Sequence, residues 1–507
     1  MAARKKAFYI LPGAYSMIGI GTIFRRRAGS GGPLPPDYAK WVKEHMVFWY
    51  DISKPADVYT QNFNDWQNYN PNSVSITNNK IVVNGLIDNF RIASIGKETE
   101  SFSVFIEGLG DKNLVYRVKL DENSDRITNI KLKDGENVLP HSFVTTVAFM
   151  GVSGVTDYIG LTITQLPSGQ SVPTNEILKA NPYLQDHSGN NRPLKLNNFL
   201  FAAMSGVGGY TLNAKSYHNR SNSIVGTFGD YFIEITAKVT DILGIVWTKN
   251  GIGDSNSVAK GETLTRPAFT ITVEGMPDDL KWGMYESGGA NKGNGIFEIP
   301  AYTYTNNTET VQTKFIGLTF NQSTFDNVDI KFTFQPLYPN ALVTDGVDDY
   351  GQVQNFKSLQ NYMMFFQCAI IRPNTLNGMF STTSIENNTK GWMLLQGNSA
   401  NEVRFGNNIY TNFEFTPSVE DKTDYVLSAN NKLMTCYVGE EKATLAGTYG
   451  QTGANMSLFL SDIIRKTRFG SMAFYKSILF DSVPTKQDDG FTEQDLINYV
   501  LENLITK

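Results

Sequence analysis

Cysteine is almost missing from this chain of 507 residues, which contains only Cys368 and Cys436. Two cysteines are too few for the disulfide scaffold of a small secreted protein. Cys368 lies within an apolar run at 363–371, so we expect two buried, reduced thiols. A protein of this kind fits assembly in the reducing cytoplasm of a cell.

The sequence also lacks an excess of charge of either sign, with 44 Lys and Arg against 49 Asp and Glu. Proteins that bind nucleic acid along a basic stripe carry Lys and Arg in excess, because these side chains neutralise phosphates. The balance excludes that mode of binding for the chain as a whole. We therefore expect no direct contact with nucleic acid.

Motifs of known catalytic and metal sites are missing as well. The paired carboxylates of retaining glycosidases often follow the pattern Glu-x-Asp-x-x-Glu, which begins only at Glu493 and fails at Asn498. No Gly-x-Ser-x-Gly nucleophile motif is evident. The four histidines are scattered and lack the spacing of metal ligands: His45, His141, His187 and His218. The sequence thus predicts no enzyme, no catalytic residue, no metal ligand and no cofactor.

Aromatic residues are abundant instead. The chain has 32 Phe and 24 Tyr, and 41% of its residues are apolar, which is enough to offset the entropy of folding. Aromatic and β-branched residues favour strands, while Gly and Asn favour turns. A chain of this length exceeds one ordinary domain of ~100–150 residues. We predict an all-β protein of several domains.

Residues 1–36 differ from the remainder of the chain. A weakly apolar stretch at 7–24 lies between two basic clusters. A signal peptide would have a small-residue cleavage site where the second cluster stands, and a membrane span needs ~20 apolar residues. We predict an N-terminal anchoring arm and linker, with a membrane anchor as the alternative. The candidate anchor residues are Phe8, Tyr9, Ile10, Leu11, Tyr15, Met17, Ile18, Ile20, Ile23, Phe24, Arg25, Arg26 and Arg27.

Two segments repeat one pattern. Residues 102–111 align without gaps on 269–278, and in both segments apolar residues alternate with polar ones. This alternation is typical of strands with one buried face. Further along, 149–152 align with 315–318. We predict two related β-sandwich modules, inserted at 56–170 and 212–336.

The segments outside these modules resemble a concanavalin-type (laminin G-like) jelly roll. The pieces that carry the resemblance lie at 49–54, 174–190, 199–210, 344–350, 391–394, 425–427 and 469–475. The resemblance implies one jelly roll split into 37–55, 171–211 and 337–507. Strands hundreds of residues apart must then pair, and we expect these aromatic residues to pack within it: Trp49, Tyr50, Phe199, Phe201, Phe474 and Tyr475. We also predict a terminal helix with Thr492 as its N-cap, because Leu496, Val500, Leu501 and Leu504 fall on one helical face.

The same resemblance implies structural roles for single residues of these pieces. They are Trp49, Asp51, Asp186, Gly189, Asp345, Gly346, Asp348, Asp349 and Tyr350. The carboxylates at 345–349 either accept hydrogen bonds from turn amides or bind calcium, as in some laminin G relatives. We expect the turn role.

The combination of pieces resembles virion proteins of phages and prophages of gut Bacteroidales, including the crAss-like group. The matching residues are 49–54, 181–190 and 204–210. The resemblance implies a homo-oligomeric head fibre, capsid decoration or tail component that contacts capsid, portal or tail proteins and is assembled in the bacterial cytoplasm. It leaves contact with host-surface glycans open. A lectin-like surface adhesin and a membrane-anchored outer-surface protein are the alternatives.

Overall fold

The structure, a computed structural model, describes residues 37–77, 79–87, 89–151, 157–210, 217–219, 224–228, 234–239, 244–249, 253, 255–321, 328–372, 377–382, 393–396, 402–407, 409–415, 421–430, 433–446, 452–462 and 466–506. Residues Tyr38–Lys507 form one compact unit. The predicted anchoring arm and linker, 1–36, lie outside the described residues. Within the described part of the chain, no helix is long and apolar enough to cross a membrane.

The elements of the first half follow in chain order. Helix α1 (Tyr38–His45) runs directly into strand β1 (Met46–Asp51). The strands of the first insertion are β2 (Ala56–Val58), β3 (Gln67–Asn68), β4 (Val74–Ile76), β5 (Lys80–Val83), β6 (Arg91–Thr99), β7 (Phe102–Glu107), β8 (Leu114–Val118), β9 (Thr128–Lys131), β10 (Gly135–Leu139), β11 (Ser142–Gly151), β12 (Thr162–Gln165) and β13 (Gly169–Ser171). Next come helix α2 (Asn175–Ala180) and strands β14 (Tyr183–Leu184), β15 (Leu194–Asn197) and β16 (Gly206–Val207).

The second half continues this order. The strands of the second insertion are β17 (Tyr217–Asn219), β18 (Ile224–Phe228), β19 (Glu234–Val239), β20 (Ile245–Trp247), β21 (Asn256–Val258), β22 (Thr263–Arg266), β23 (Phe269–Glu274), β24 (Trp282–Met284), β25 (Gly289–Lys292), β26 (Gly295–Ile299), β27 (Tyr302–Thr305), β28 (Gln312–Lys314), β29 (Gly317–Phe320) and β30 (Val328–Phe334). The last segment holds β31 (Leu342–Val343), β32 (Tyr350–Val353), β33 (Tyr362–Ile370), β34 (Asn377–Thr382), β35 (Met393–Gln396), β36 (Glu402–Asn407), β37 (Ile409–Glu414), β38 (Thr423–Asn430), β39 (Leu433–Val438), β40 (Glu441–Ala446), β41 (Met456–Leu458), β42 (Leu460–Asp462), β43 (Thr467–Phe469), β44 (Met472–Phe480) and helix α3 (Glu493–Val500).

Two eight-stranded sheets form the jelly roll. The front sheet has the order β16-β31-β44-β33-β38-β39-β40, with β1 also beside β44, and the back sheet has the order β14-β15-β32-β41-β34-β35-β36-β37. Their inner faces share one hydrophobic core, in which the rings of Phe366 and Phe380 lie 5.6 Å apart. Strands from all three predicted jelly-roll segments contribute to these sheets. The predicted fold class, an interrupted jelly roll, is confirmed, while the limits of the individual domains stay a prediction.

The aromatic residues of the split jelly roll divide between two faces. Tyr50 and Phe474 belong to the core between the sheets, as do Phe199 and Phe201. Trp49 lies on the outer face and is only partly buried, since side chains alternate along a strand. Tyr475 is also partly buried on that outer face. The expected pairing of distant strands is confirmed for Trp49 and Tyr50, which pair with β44, but the rings of Trp49 and Tyr475 lie outside the core between the sheets.

Helices α1 and α3 cover part of the outer face of the front sheet. Trp41 of α1 lies 5.5 Å from the ring of Phe480, and its indole N–H donates to Asp489 at 3.0 Å. The predicted N-cap of the last helix is confirmed, because Thr492 and Asp495 form a capping box. Cys368 and Cys436 are both buried and unbridged, as predicted.

The two insertions have the same topology. Module one (β3 to β12) consists of sheets β10-β7-β12-β5-β4 and β3-β6-β11-β8-β9. Module two (β17 to β30) consists of sheets β26-β23-β30-β19-β18 and β17-β20-β29-β24-β25. Each strand of one module has its counterpart at the same place in the other, and module two adds the strand pairs β21–β28 and β22–β27.

The pairing register of the strands supports the predicted alignment of 102–111 with 269–278, the first part of the repeat. Ile106 pairs with Gly135 in module one, and Val273 pairs with Gly295 in module two; residues 106 and 273 correspond in the ungapped alignment. Gly108 and Gly275 also correspond, and both have positive φ, +79° and +77°. A Cβ at either position would meet a backbone oxygen of a nearby chain segment.

The predicted alignment of 149–152 with 315–318, the second part of the repeat, is wrong in register. Gly151 ends β11, whereas Gly317 begins the corresponding strand β29. Aligning the two glycines therefore places opposite ends of one strand together. The alternation of apolar and polar residues has a period of two, so short strand sequences match equally well in several registers.

Both modules leave the jelly roll through paired chain ends. Strands β2 and β13 pair from Ala56↔Ser171 to Val58↔Gly169 and form the neck of module one. Around module two, Gly209 accepts a backbone bond from Leu337 at 2.9 Å. Gly209 has a φ of +58°, and a Cβ there would lie 2.9 Å from the side chain of Val343. Glycine is required at this exit because the chain turns there in the left-handed region.

Candidate functional site

The predicted motif residues fall into two places in the jelly roll. Asp186 and Gly189 lie in the loop between β14 and β15, next to Trp49 and Asp51 of β1. Asp345, Gly346, Asp348, Asp349 and Tyr350 form the turn that precedes and opens β32. The candidate anchor residues, Phe8 to Arg27, lie outside the described residues.

Asp186 holds the first of these places together. Its Oδ1 accepts the backbone N–H groups of Trp49 and Ser188, each at 2.9 Å. Its Oδ2 accepts the backbone N–H of Arg192 at 3.0 Å. Asp186 is 8% exposed, and three bonds to one buried carboxylate fix the loop against β1.

Further bonds join the same loop to the start of β1. The Asn190 side-chain amide donates to the carbonyl of Met46 at 2.7 Å, and the Arg192 guanidinium donates to that of Val47 at 2.9 Å. In return, the Tyr50 hydroxyl donates to the carbonyl of Arg192 at 2.6 Å. We call this network, residues 46–51 with 186–192, the motif unit. The side chains of Tyr50, Asp186, Asn190 and Arg192 are thus engaged by the protein itself.

Asp51 continues the motif unit into the front sheet. Its side chain is buried and lies 3.2 Å from the ammonium of Lys476, its directly opposite residue on β44. The other carboxylate oxygen accepts from the backbone and the hydroxyl of Ser53, at 3.0 and 2.6 Å. Breaking such a buried pair by removing one partner leaves an uncompensated charge, so Asp51 is a structural residue.

The acidic turn before β32 also satisfies its own backbone. Asp349 accepts the Ser205 hydroxyl at 2.9 Å and the Asp345 N–H at 3.0 Å, while Asp345 accepts the Val347 N–H at 2.7 Å. Burial raises the pKa of Asp349 to about 7. Carboxylate oxygens of Asp345, Asp348 and Asp349 lie within 4.8 Å of one another, a donor set that Ca²⁺ accepts. The contacts with turn amides agree with the structural role expected for this segment.

A cleft lies where module one meets the jelly roll, and we call it the junction cleft. Its inner cavity has a volume of about 200 Å³ and lies between the neck of module one and the α2–β14–β15 segment. Its outer cavity, about 350 Å³, extends along β4 and β5 of module one. Tyr183, Asn191 and Pro193 line both cavities, so the two are neighbours along one wall.

Side-chain amides and tyrosines dominate the polar wall of the inner cavity. Asn79, Asn181, Gln185 and Asn191 line it together with Tyr59. The side-chain oxygen of Gln185 (Oε1) accepts a hydrogen bond from the backbone N–H of Asp57 at 2.5 Å. This bond connects the neck to the jelly roll. Among the described residues, the Asn181 side-chain oxygen is buried without a hydrogen-bond partner. A buried acceptor of this kind normally binds a water or a ligand.

Two carboxylates line the inner cavity, and they differ in availability. Asp186 gives both of its oxygens to backbone amides. Within the described part of the chain, Asp57 accepts two long bonds, from the Tyr59 hydroxyl at 3.3 Å and the Gln170 amide at 3.5 Å. Burial and the nearby Asp57 raise the pKa of Tyr59 to about 12, so its hydroxyl stays protonated. Asp57 is therefore the carboxylate with capacity left for a ligand.

Only weak signals in the sequence point to this cleft. Asp186 and Gly189 were predicted as structural residues, and both line its inner cavity. Tyr59, Asn79, Tyr183 and the other lining residues were missed because they belong to no motif. Tyr59 and Tyr183 lie near the predicted insertion points of module one, whereas Asn79 lies inside the module and has no such signal.

Comparisons with known proteins give only distant similarities. No family model and no curated protein matches this sequence. Similar solved structures include the CBM40 domain of a Ruminococcus gnavus IT-sialidase bound to α2,3 sialyllactose, which has 14% identity, covers 28% of this chain and 83% of its own, and has a TM-score of 0.23. Domain 4 of the arabinanase AbnA from Geobacillus stearothermophilus, in complex with arabinotriose, has 14% identity, coverages of 31% and 75% and a TM-score of 0.24. A SAP-like pentraxin from Limulus polyphemus has 12% identity, coverages of 27% and 72% and a TM-score of 0.22. TM-scores this low establish no relationship, and the architecture rests on the strand pairings.

Proposed function

We propose that this chain is a non-enzymatic structural protein of a phage virion, anchored by its N-terminal arm, which contacts glycans of the host surface. A head fibre, a capsid decoration and a tail component all fit this role. The arm would bind capsid, portal or tail proteins, while the jelly roll and its two modules would carry the contact with the host.

The motif unit is the observation that carries the virion part of the proposal. Two of the sequence pieces that resemble phage virion proteins, 49–54 and 181–190, bond to each other through the side chain of Asp186 and the backbone of His187, both of which contact the backbone of Trp49. The third, 204–210, reaches the acidic turn through Ser205 and Asp349. Pieces that are scattered in sequence thus act as parts of one domain, as the resemblance requires.

The glycan part is supported by the junction cleft. Its amide side chains can both donate and accept hydrogen bonds, and half-buried Tyr59 and Tyr183 add aromatic surface. Glycans present many hydroxyl groups and apolar C–H faces, which suit such a wall. The same observation favours the second candidate, a lectin-like adhesin on a cell surface.

Proteomics of purified particles and of membranes from the same producing culture tests the proposal. We expect the chain in the particles, and we expect deletion of residues 1–32 to leave a folded protein that no longer enters them. The control is Asp125→Ala, a change of an exposed residue that should leave incorporation unchanged. Enrichment in membranes would favour a membrane-anchored surface protein. Normal incorporation of the truncated chain would exclude the arm as the anchor.

A further inference from the structure

We propose that the junction cleft binds an uncharged oligosaccharide, which lies across Tyr183 with one sugar unit in each cavity. This inference rests on the proposed glycan contact and adds to it the location of the site and the chemical class of the ligand. The location is the boundary between module one and the jelly roll, so residues of both form the site.

The shape of the cleft suits a short chain rather than a single small molecule. The inner and outer cavities, about 200 and 350 Å³, together fall in the ~300–1,000 Å³ range of small-molecule sites. They meet at Tyr183, Asn191 and Pro193. A ligand that reached from one cavity into the other would pass these three residues, as a chain does between two adjoining subsites.

Tyr183 is held in place as the platform between the subsites. The side-chain amide of Asn64, in module one, donates to the Tyr183 hydroxyl at 2.8 Å. Burial is the main cause that raises the pKa of Tyr183, so its ring stays neutral. A half-buried ring fixed at its hydroxyl presents an apolar face without a large loss of side-chain entropy on binding.

The hydrogen-bonding groups of the inner cavity match hydroxyl groups. The unpartnered oxygen of Asn181 needs a donor, and the long contacts of Asp57 leave its carboxylate able to accept a second one. A sugar hydroxyl can donate to either group and accept from a neighbouring amide. Sites built around such groups discriminate strongly against ligands without matching hydroxyls, because the buried polar atoms would stay unpaired.

Charge then selects against acidic sugars. Asp57 and Asp186 line the inner cavity, and no Lys or Arg is among the described residues that line it. The outer cavity has one cation, Lys80. A carboxylate-bearing sugar in the inner cavity would face Asp57 without a compensating charge, and like charges at short range in a partly buried site repel strongly.

Calorimetric titration of the full chain with neutral trisaccharides tests the proposal. The panel consists of maltotriose, cellotriose, xylotriose, mannotriose and laminaritriose, with trigalacturonate and 3′-sialyllactose as acidic probes. We expect at least one neutral trisaccharide to bind and both acidic probes to bind at least about tenfold more weakly. Tyr183→Ala and Asn191→Gly should each weaken neutral binding about tenfold or more. Asp57→Asn should reduce the discrimination against acidic probes.

Matched variants separate loss of the site from loss of the fold. Asn191 and Asn340 both have positive φ, +53° and +60°, so Asn340→Gly makes the same backbone change away from the cleft. Tyr69, 40% exposed on module one, provides Tyr69→Ala as the control for the aromatic change. Both controls should bind as the unmodified chain does.

Several outcomes would overturn the proposal. They are failure of every neutral probe to bind, preference for an acidic probe, and neutral binding that survives both Tyr183→Ala and Asn191→Gly. Particle incorporation is scored for the same variants. Normal incorporation with no sugar binding would contradict the ligand site alone, whereas absence of the chain from particles would contradict the virion role and leave the site standing.

Discussion

The backbone N–H of Trp49 donates to the carboxylate of Asp186 at 2.9 Å, although 137 residues separate them in sequence. Module one lies between these two residues along the chain. The bond therefore spans the base of the insertion and belongs to the jelly roll. Four predictions follow from this arrangement and from the sheets around it.

Replacing Asp186 by Ala should destabilise the jelly roll by about 3 kcal/mol or more, because three backbone N–H groups lose a charged, buried acceptor. Urea denaturation of the full chain, followed by tryptophan fluorescence, measures the change in the free energy of unfolding. Asp125→Ala, an exposed site, should stay within about 0.5 kcal/mol of the unmodified chain. An equally small effect of Asp186→Ala would contradict the structural role.

Replacing residues 56–170 by a short Gly-Ser linker should leave the jelly roll folded. The two ends of the insertion are already side by side in the β2–β13 neck, so a short linker can join them, and loop-closure entropy changes slowly with loop length. Calorimetry should still show a cooperative transition for the remainder. Loss of that transition would mean that module one is part of the jelly-roll core.

Residues 337–507 expressed alone should not unfold cooperatively at the melting temperature of the full chain. The fragment lacks β1, β15 and β16, whose partners β44, β32 and β31 it retains. It also lacks Phe48 and Tyr50, both fully buried in the full chain. A soluble fragment with the melting temperature of the full chain would show a linear string of domains instead.

Asp349 should make the free energy of unfolding depend on pH. Its pKa in the folded protein is about 7 because of burial, above the ~3.9 of an unfolded chain. The folded state therefore holds the extra proton between these values, so the stabilisation that this carboxyl contributes is fully present below pH ~4 and is lost as pH rises through about 7. Asp349→Asn cannot ionise, and its stability should fall less than that of the unmodified chain across this window. Identical pH profiles of the two proteins would exclude a shifted carboxyl at this position.

Much of the fold could be predicted from the sequence because its signals are local. The alternation of apolar and polar residues at 102–107 and 269–274 correctly predicted two strands. These strands pair in the same register in both modules. Thr492 correctly predicted the start of the last helix. Where the signal was weaker, as for Gly151 and Gly317, the predicted register was wrong.

The junction cleft could not be predicted in the same way. Its walls come from the neck, from β4 and β5, and from the α2–β15 segment, and only the tertiary fold brings these together. Asn64 and Tyr183 are in contact across it, yet nothing in the sequence around either residue indicates the other. Sites of this type depend on packing between domains. Neither the periodicity of apolar residues nor the composition of the sequence encodes that packing.

The position of β1 has a mechanical consequence. A pull between the chain ahead of α1 and module one runs lengthwise along β1, from Met46 to Asp51, while its neighbour β44 stays behind in the front sheet. Because an extended strand has almost no slack, the covalent backbone of β1 carries this load, and the hydrogen bonds to β44 keep the strand aligned in the front sheet. The buried Asp51–Lys476 pair stands at the far end of this seam. The jelly roll can thus carry tension between its entry point and module one through strand β1 of its own sheet.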